Sequence, residues 1–308
     1  MKVRPTKPLA DVNVLPQDNG DNAIVVHFQP DKNTIWGNPE ADAKAVLSID
    51  ASKSIIDKFG LNNVWGGGVN EVEMVSRKIG SILCDVSKQA DVSMNYWAIG
   101  PGGTEIEVIK DGISQNDCKT IEITGPKQHA WGTGTKILPT IKHIVEEHLD
   151  KAEAAFGVII TDGIIEDENE AMDYCMKLGR RLVDENLTEL FKLVLIGVGT
   201  EVDEDQLERF DDMFEETDLS DDVDIWGSGV ATDMKDEADI MGVLFGEMMT
   251  EKTIVAPSGT LSGGSGKLIQ NFSDGMPGKF RFTLPKGETS FKIHTPHGDV
   301  TQDILEAL

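Results

Sequence analysis

The 308-residue chain has few cysteines and no long apolar run. Its three cysteines, Cys84, Cys118 and Cys175, follow neither a zinc-ligand spacing nor a disulfide framework. An odd number of cysteines without a signal peptide favours a reducing cytoplasm, and we expect the protein there. No stretch approaches the ~18–20 consecutive apolar residues that a membrane helix needs, so we expect no membrane segment.

Basic residues are also scarce. The chain has 28 Lys and Arg against 54 Asp and Glu, which gives a formal net charge of -26. A field of that sign repels phosphate backbones and anionic membrane surfaces, so we expect neither nucleic-acid nor membrane binding. The simplest interpretation of the acidity is a well-solvated surface. The acidic stretch at 201–224 lacks the spaced ligands and central glycine of an EF-hand.

Residues 41–250 alternate short apolar runs with helical patterns. Strand-like runs lie at 45–50, 91–99, 156–161, 191–198 and 222–226. Apolar residues at helical spacing lie at 71–89, 136–150, 168–186, 203–214 and 236–249. This alternation predicts an α/β domain with a Rossmann-like open, mostly parallel sheet and helices on both faces. A Pro-Gly-Gly turn leads directly into 104–109, which predicts one antiparallel edge strand because a parallel neighbour needs a longer crossover.

The pattern changes near residue 253, where short β-type runs are separated by glycine, proline, serine and aspartate. We expect residues 251–308 to form a small, antiparallel, sandwich-like β module. Residues 1–40 are predicted to be an N-terminal arm. Within this arm, 23–28 (Ala-Ile-Val-Val-His-Phe) has the same β character. We hypothesise that this stretch adds a strand to the C-terminal module.

Oxygen-bearing side chains follow the predicted strands of the α/β domain or precede its helices. They are Asp50, Ser52, Ser54, Thr133, Thr135 and Asp162. The carboxyl ends of the strands form the ligand-binding edge of an open parallel sheet. The topology therefore brings these side chains to this one edge, which we call the rim. Carboxylates and hydroxyls suit magnesium, manganese or calcium better than zinc. Taken singly, each segment has a structural alternative, either a helix N-cap or a turn.

Three short motifs carry a family resemblance. Asp-x-Ser-x-Ser at 50–54, Gly-Thr-x-Thr at 132–135 and Thr-Asp-Gly at 161–163 occur in this order. Together they resemble the metal-ion-dependent adhesion site of the von Willebrand factor A domain family. The resemblance extends over residues 41–250, and it implies the same open α/β fold.

The resemblance also implies a metal site and a function. Direct metal coordination would come from Ser52, Ser54 and Thr133, and direct or water-mediated coordination from Asp50 and Asp162. Mainly neutral ligands leave the Mg²⁺, Mn²⁺ or Ca²⁺ ion much of its charge, and one free position accepts a carboxylate from a partner protein. The expected function is therefore metal-dependent protein binding without catalysis. In integrin-type members the last helix moves, and its counterpart here is 236–249.

Two alternatives remain open at this point. A magnesium-dependent hydrolase or phosphatase could use Asp50 as nucleophile, but such phosphatases need a second carboxylate two residues on, where this chain has Ser52. No histidine pairs with an obvious nucleophile either. Alternatively, the metal could serve stability alone. We interpret His129 and Trp131, which flank Thr133, as a solvated residue and a packing residue rather than as partner contacts.

Overall fold

The computed structural model describes residues 3–17, 19–29, 42–61, 68–220, 222–231, 237–248 and 253–307. Residues 1–2, 18 and 30–40 of the predicted arm lie outside the described residues, as do both ends of the predicted helix at 236–249. The chain divides into two compact units, Trp36–Leu244 and the combination of Met1–Ile35 with Phe245–Leu308. The domain boundaries at 40 and 250 stay predictions. No helix among the described residues is both long and apolar enough to span a membrane.

An antiparallel hairpin opens the chain. Strand β1 (Leu9–Pro16) pairs with β2 (Asn22–Phe28), and its register places Val12 opposite Val26 and Val14 opposite Ile24. These four apolar side chains are all buried. The hairpin therefore contributes one apolar layer to the core of the unit that contains both chain ends.

Six strands form the sheet of the larger unit. They are β3 (Ala43–Asp50), β4 (Asp91–Ile99), β5 (Glu105–Ser114), β6 (Ala154–Thr161), β7 (Phe191–Val198) and β8 (Trp226–Ala231). Their order is β5-β4-β3-β6-β7-β8, and every pair is parallel except β4 with β5. The predicted open, mostly parallel sheet with one antiparallel edge strand is therefore confirmed. The predicted strand at 222–226 is wrong, since the strand begins only at Trp226.

Helices connect these strands. They are α1 (Glu71–Leu83), α2 (Gln115–Cys118), α3 (Leu138–Ile144), α4 (Glu168–Glu185), α5 (Glu204–Asp211) and α6 (Glu237–Met248). A π-helical turn at Val145–Leu149 extends α3. Helix α1 ends six residues before the predicted end at 89, because the chain tightens into turns after Leu83 and the Ser87 hydroxyl accepts from the Asp91 N–H at 2.8 Å.

The C-terminal strands belong to the other unit. They are β9 (Ile254–Ala256), β10 (Gly259–Gly263), β11 (Leu268–Phe272), β12 (Met276–Pro277), β13 (Lys279–Leu284), β14 (Ser290–Thr295) and β15 (Gly298–Asp303). Strands β11-β10-β14-β15 form an antiparallel sheet, and β2 lies between β1 and β13 in a second one. Aromatic packing fills the core between them, with Phe282 and Phe291 edge-to-face at 5.1 Å.

Candidate metal centre

Strand β3 ends in a buried carboxylate. Asp50 has 0% exposure, and its two oxygens accept hydrogen bonds from the Ser52 N–H at 2.7 Å and from the Thr161 hydroxyl at 2.8 Å. Because β3 and β6 are parallel neighbours, the Thr161 hydroxyl joins their carboxyl ends. The first and last of the three sequence motifs therefore meet at this carboxylate, at the edge of the sheet predicted to bind a ligand.

A chain of hydroxyl groups continues from this point to Asp162. The Oγ atoms of Ser52 and Ser54 lie 2.8 Å apart, and the Ser54 hydroxyl donates to Asp162 Oδ1 at 2.8 Å. The Ser54 proton points at Asp162, and the Ser52 hydroxyl lies within hydrogen-bond distance of Ser54 and also interacts with the Asp50 carboxylate. The structure thus brings four of the five predicted ligand residues into one connected group of oxygen atoms.

The Gly132 segment docks onto the end of β3 through its backbone. The Gly132 N–H donates to the Ala51 carbonyl at 3.1 Å, and the Lys53 N–H donates to the Gly132 carbonyl at 3.0 Å. A Cβ atom on Gly132 would lie only 1.7 Å from the Ala98 carbonyl oxygen. Only glycine therefore permits the approach that brings the threonines of this loop to the rim.

The two loop threonines lie in different surroundings. Thr133 is exposed, and its hydroxyl accepts from the Gly102 N–H at 3.0 Å. Thr135 is 7% exposed, and its Oγ1 lies 3.6 Å from the point that a Cβ on Gly163 would occupy. The Ser54 Oγ lies 3.9 Å from the same point. The hydroxyls of Thr135 and Ser54 therefore both lie near Gly163, and Thr135 joins Thr133 as a candidate ligand.

Sequence reasoning assigned the ligand role in this loop to Thr133, which stays a prediction. The sequence placed Thr135 on the same rim without naming it as a ligand. It offered no signal that separates the two threonines, because their surroundings depend on how the Gly132 segment docks.

Burial raises the pKa of both carboxyl groups. Desolvation raises the pKa of Asp50 to about 7, and the neighbouring charge of Asp162 acts in the same direction. Burial also raises the pKa of Asp162, with Glu201 adding to the effect and the Ser54 hydrogen bond opposing it. Lys58 compensates the charge of Asp162 only in part, since the pKa of that carboxyl is still raised, and a cation near the two desolvated carboxylates would add compensation.

The donor set of this site fits a hard cation. Within the described ranges, no group of three or more His, Cys, Asp or Glu side chains could hold a metal ion. Any metal here must therefore take much of its coordination from hydroxyl oxygens. The oxygens available are those of Asp50, Ser52, Ser54, Thr133, Thr135 and Asp162. Oxygen donors of this kind match the preferences of Mg²⁺, Mn²⁺ and Ca²⁺.

Two tryptophan side chains pack close to the rim. The Trp97 indole N–H donates to the Ile160 carbonyl at 3.0 Å, and Trp97 lies in register with Asp50. Trp131 packs edge-to-face on Phe59 with ring centroids 4.9 Å apart. Both tryptophans thus lie close to the motif segments. Their fluorescence offers a direct reporter for changes at the rim.

Comparisons with known proteins give only distant likenesses. No family model and no curated protein matches the chain. Among solved structures, the VWA domain of SpRpn10 is 10% identical with a TM-score of 0.41, over 64% of this chain and 94% of that chain. A mutant of the PilB minor pilin from Streptococcus sanguinis is 11% identical with a TM-score of 0.41, over 79% and 80%. Human COPII-coat protein Sec24c is 9% identical with a TM-score of 0.34, over 91% and 46%. At these values the likenesses carry no argument about function.

Proposed function

We propose that this protein is a divalent-metal-dependent protein-binding module. In this proposal the rim at Asp50 holds Mg²⁺, or Mn²⁺ or Ca²⁺, and a partner protein contributes a carboxylate to the ion. The observation that carries the proposal is the hydrogen-bonded chain from Ser52 through Ser54 to Asp162, next to the buried Asp50 carboxylate. These groups together form a compact set of hard oxygen donors.

We propose the ligands from the positions of these oxygens. Ser52, Ser54 and one or both loop threonines would hold the ion through neutral hydroxyls, with Asp50 and Asp162 as the charged members. When bound, the ion supplies an electrophilic position that attracts a carboxylate. The chain carries a net charge of -26, so without such an ion its field would repel an acidic partner residue. The proposed metal therefore accounts for how an acidic protein could take an acidic ligand.

The geometry disfavours the hydrolase alternative. A nucleophilic Asp50 would need a free oxygen facing a substrate, but its side chain is fully buried and both oxygens already accept hydrogen bonds. Ser52 stands where such a mechanism needs a general acid, and its hydroxyl is part of the chain to Ser54. In a binding role the two hydrogen bonds of Asp50 can stay in place, because the carboxylate then acts on the ion through water. A catalytic role would first have to break them.

The first test is a calorimetric titration with Mn²⁺, and with Mg²⁺ in competition. We expect one ion per chain for the wild type and binding weakened at least about tenfold in Ser54→Ala, which removes one donor and interrupts the hydroxyl chain. Ser81→Ala is the matched control, because its hydroxyl bonds back to the Arg77 carbonyl on α1. A wild-type protein that binds neither ion would refute the proposal.

The partner step needs its own measurement. Proteins captured from a native lysate by the wild type in magnesium should be lost both in chelator and with Ser54→Ala. Blocking the carboxylates of a captured protein by amidation should release it as well. Capture of the same proteins with magnesium and with chelator would leave the metal without a role in binding.

A further inference from the structure

Asp167 ties the loop after β6 to the start of α3. Its carboxylate accepts from the Ile137 N–H at 2.8 Å and from the Leu138 N–H at 3.0 Å. Beside these contacts, the Glu166 N–H donates to the Thr135 carbonyl at 2.9 Å. Three hydrogen bonds therefore join the segment that follows Asp162 to the segment that carries Thr135.

The contacts of Asp167 replace a local helix cap. The first N–H groups of a helix have no partner within the helix, and a nearby Ser, Thr, Asp or Asn usually accepts from them. Here the N-cap position of α3 is Ile137, which has no side-chain acceptor, and the carboxylate arrives from 30 residues away. Asp167 is 8% exposed. A local cap would satisfy the same N–H groups without burying a charge. The additional effect of the distant Asp167 carboxylate is that it links the two loops.

Gln206 on α5 holds the same loop from its other side. Its amide oxygen accepts from the Ile165 N–H at 2.7 Å, and its amide nitrogen donates to the Ile165 carbonyl at 2.8 Å and to Glu168 Oε2 at 2.7 Å. Arg209, one turn further along α5, also donates to the Glu168 carboxylate. The loop after β6 is thus fixed at Ile165 by both backbone groups, and at Asp167 by its side chain.

We propose that Asp167 and Gln206 form a loop clasp that positions the metal ligands. This inference rests on the proposed function. Neither residue belongs to the candidate ligand set, so each would act through the two loops, by holding Asp162 and Thr135 at a constant separation. Mg²⁺ requires near-octahedral ligands at about 2.0–2.1 Å, whereas Ca²⁺ accepts flexible geometries at about 2.3–2.6 Å. A loosened clasp should therefore impair Mg²⁺ binding more than Ca²⁺ binding.

The test compares Mg²⁺ and Ca²⁺ dissociation constants in Asp167→Asn. Asparagine keeps one acceptor oxygen but turns an NH₂ group toward the other backbone N–H, which loses one charge-assisted hydrogen bond. We expect Mg²⁺ affinity to fall about tenfold and Ca²⁺ affinity to change by less than about threefold. Glu170→Gln is the matched control, because it removes one exposed negative charge from the same helix. It should leave the ratio of the two constants unchanged.

Gln206→Met gives an independent variant, since it keeps the side-chain length and removes both hydrogen bonds to Ile165. It should shift the ratio of the Mg²⁺ and Ca²⁺ dissociation constants in the same direction as Asp167→Asn. If Asp167→Asn does not fold, Gln206→Met by itself tests the inference. Equal losses for both ions would mean that the residues are merely structural and would overturn the inference. An unchanged ratio in variants of a wild type that binds Mg²⁺ would overturn it while leaving the proposed function intact. A wild type that binds neither ion would overturn both.

Discussion

Replacing Asp50 by asparagine should stabilise the metal-free protein at alkaline pH. The carboxylate is fully buried, and the hydrogen bonds that it accepts from Ser52 and Thr161 come from neutral groups. Burial, assisted by the charge of Asp162, raises its pKa from 3.8 to about 7. The ionised form is therefore less favourable in the folded protein than in the unfolded chain, and asparagine removes that charge.

The magnitude follows from the size of the pKa change. A difference of 7 minus 3.8 is about three units, and at about 1.36 kcal/mol per unit it corresponds to a cost of about 4 kcal/mol. Because the folded pKa is the higher one, this cost is absent below about pH 4, grows as the pH rises, and is complete above about pH 7. At about 2–4 °C of melting temperature per kcal/mol, the full gain corresponds to roughly 8–16 °C.

The variant should realise about half of this gain. The asparagine oxygen can still accept from the Ser52 N–H, but its NH₂ group must donate to the Thr161 hydroxyl. The Thr161 hydroxyl then has to donate its own hydrogen bond to another acceptor. We therefore expect a melting temperature about 5 °C above the wild type at about pH 8, and a much smaller difference at about pH 5.

Thermal melts in EDTA across this pH range measure the effect. Asp173→Asn, which changes an exposed aspartate on α4, is the matched control and should not alter the pH profile. Adding Mg²⁺ should raise the melting temperature of the wild type and leave Asp50→Asn unchanged. If Asp50→Asn were less stable than the wild type by the same amount at both pH values, the buried carboxylate would not be the destabilising group that its surroundings indicate.

Three further predictions concern the same unit. Burial, with the charge of His143 adding to it, lowers the pKa of His148 from 6.5 to about 4. The free energy of unfolding should therefore be unaffected by this group above about pH 6.5 and decrease as the pH falls towards 4. His148→Gln should make this decrease smaller, as measured by urea denaturation midpoints. Trp97→Phe leaves the buried Ile160 carbonyl without its indole donor and should cost about 1–3 kcal/mol of unfolding free energy. Gly132→Ala places a methyl group 1.7 Å from the Ala98 carbonyl oxygen, so the loop must move, and Mn²⁺ affinity should fall at least about tenfold.

Matched variants separate these effects from general damage. His297→Gln changes an exposed histidine in the other unit and should leave the acid profile unaltered. Gly246→Ala adds a methyl group where, among the described residues outside the helix backbone, no atom lies within 4 Å, and within α6 it should stabilise the protein by up to about 1 kcal/mol. If Gly132→Ala were equally harmless and kept full Mn²⁺ affinity, the close backbone docking of its loop would not matter for the site.

The centre of the sheet was predictable because burial on both faces leaves a simple sequence signal. Strands β3, β6 and β7 are nearly continuous apolar runs, and they were found where the sequence indicated. Strand β8 carries the weaker run Trp-Gly-Ser-Gly-Val-Ala, and its start was placed too early. Its position comes from pairing with β7 and not from its own propensity, since Leu193 pairs with Trp226. Such tertiary information is not contained in a short stretch of chain.

The sequence also predicted one part of the candidate site and not the other. Asp50, Ser52, Ser54 and Asp162 could be placed on one rim because parallel strands end at a common edge. The difference between Thr133 and Thr135 could not be predicted, since it depends on how the Gly132 segment docks against β3 and β4. The link from Asp167 to α3 was equally hidden, because nothing in a run of acidic residues marks which one will turn inward and accept from a helix start.

The hydroxyl chain would also allow the proposed metal to bind reversibly. In the metal-free protein, the oxygen atoms of Ser52 and Ser54 lie 2.8 Å apart, and the Ser54 proton lies between Ser54 and Asp162 Oδ1 at the same oxygen–oxygen distance. An incoming ion needs the lone pairs of these oxygens, and rotation about the Cβ–Oγ bonds can present them without moving carbon atoms. The hydrogen bonds lost in this step are between neutral groups or to one carboxylate, so each is modest. The larger contribution would come from restoring favourable surroundings to the ionised Asp50 and Asp162, and the affinity should therefore depend more on these two acids than on any single hydroxyl.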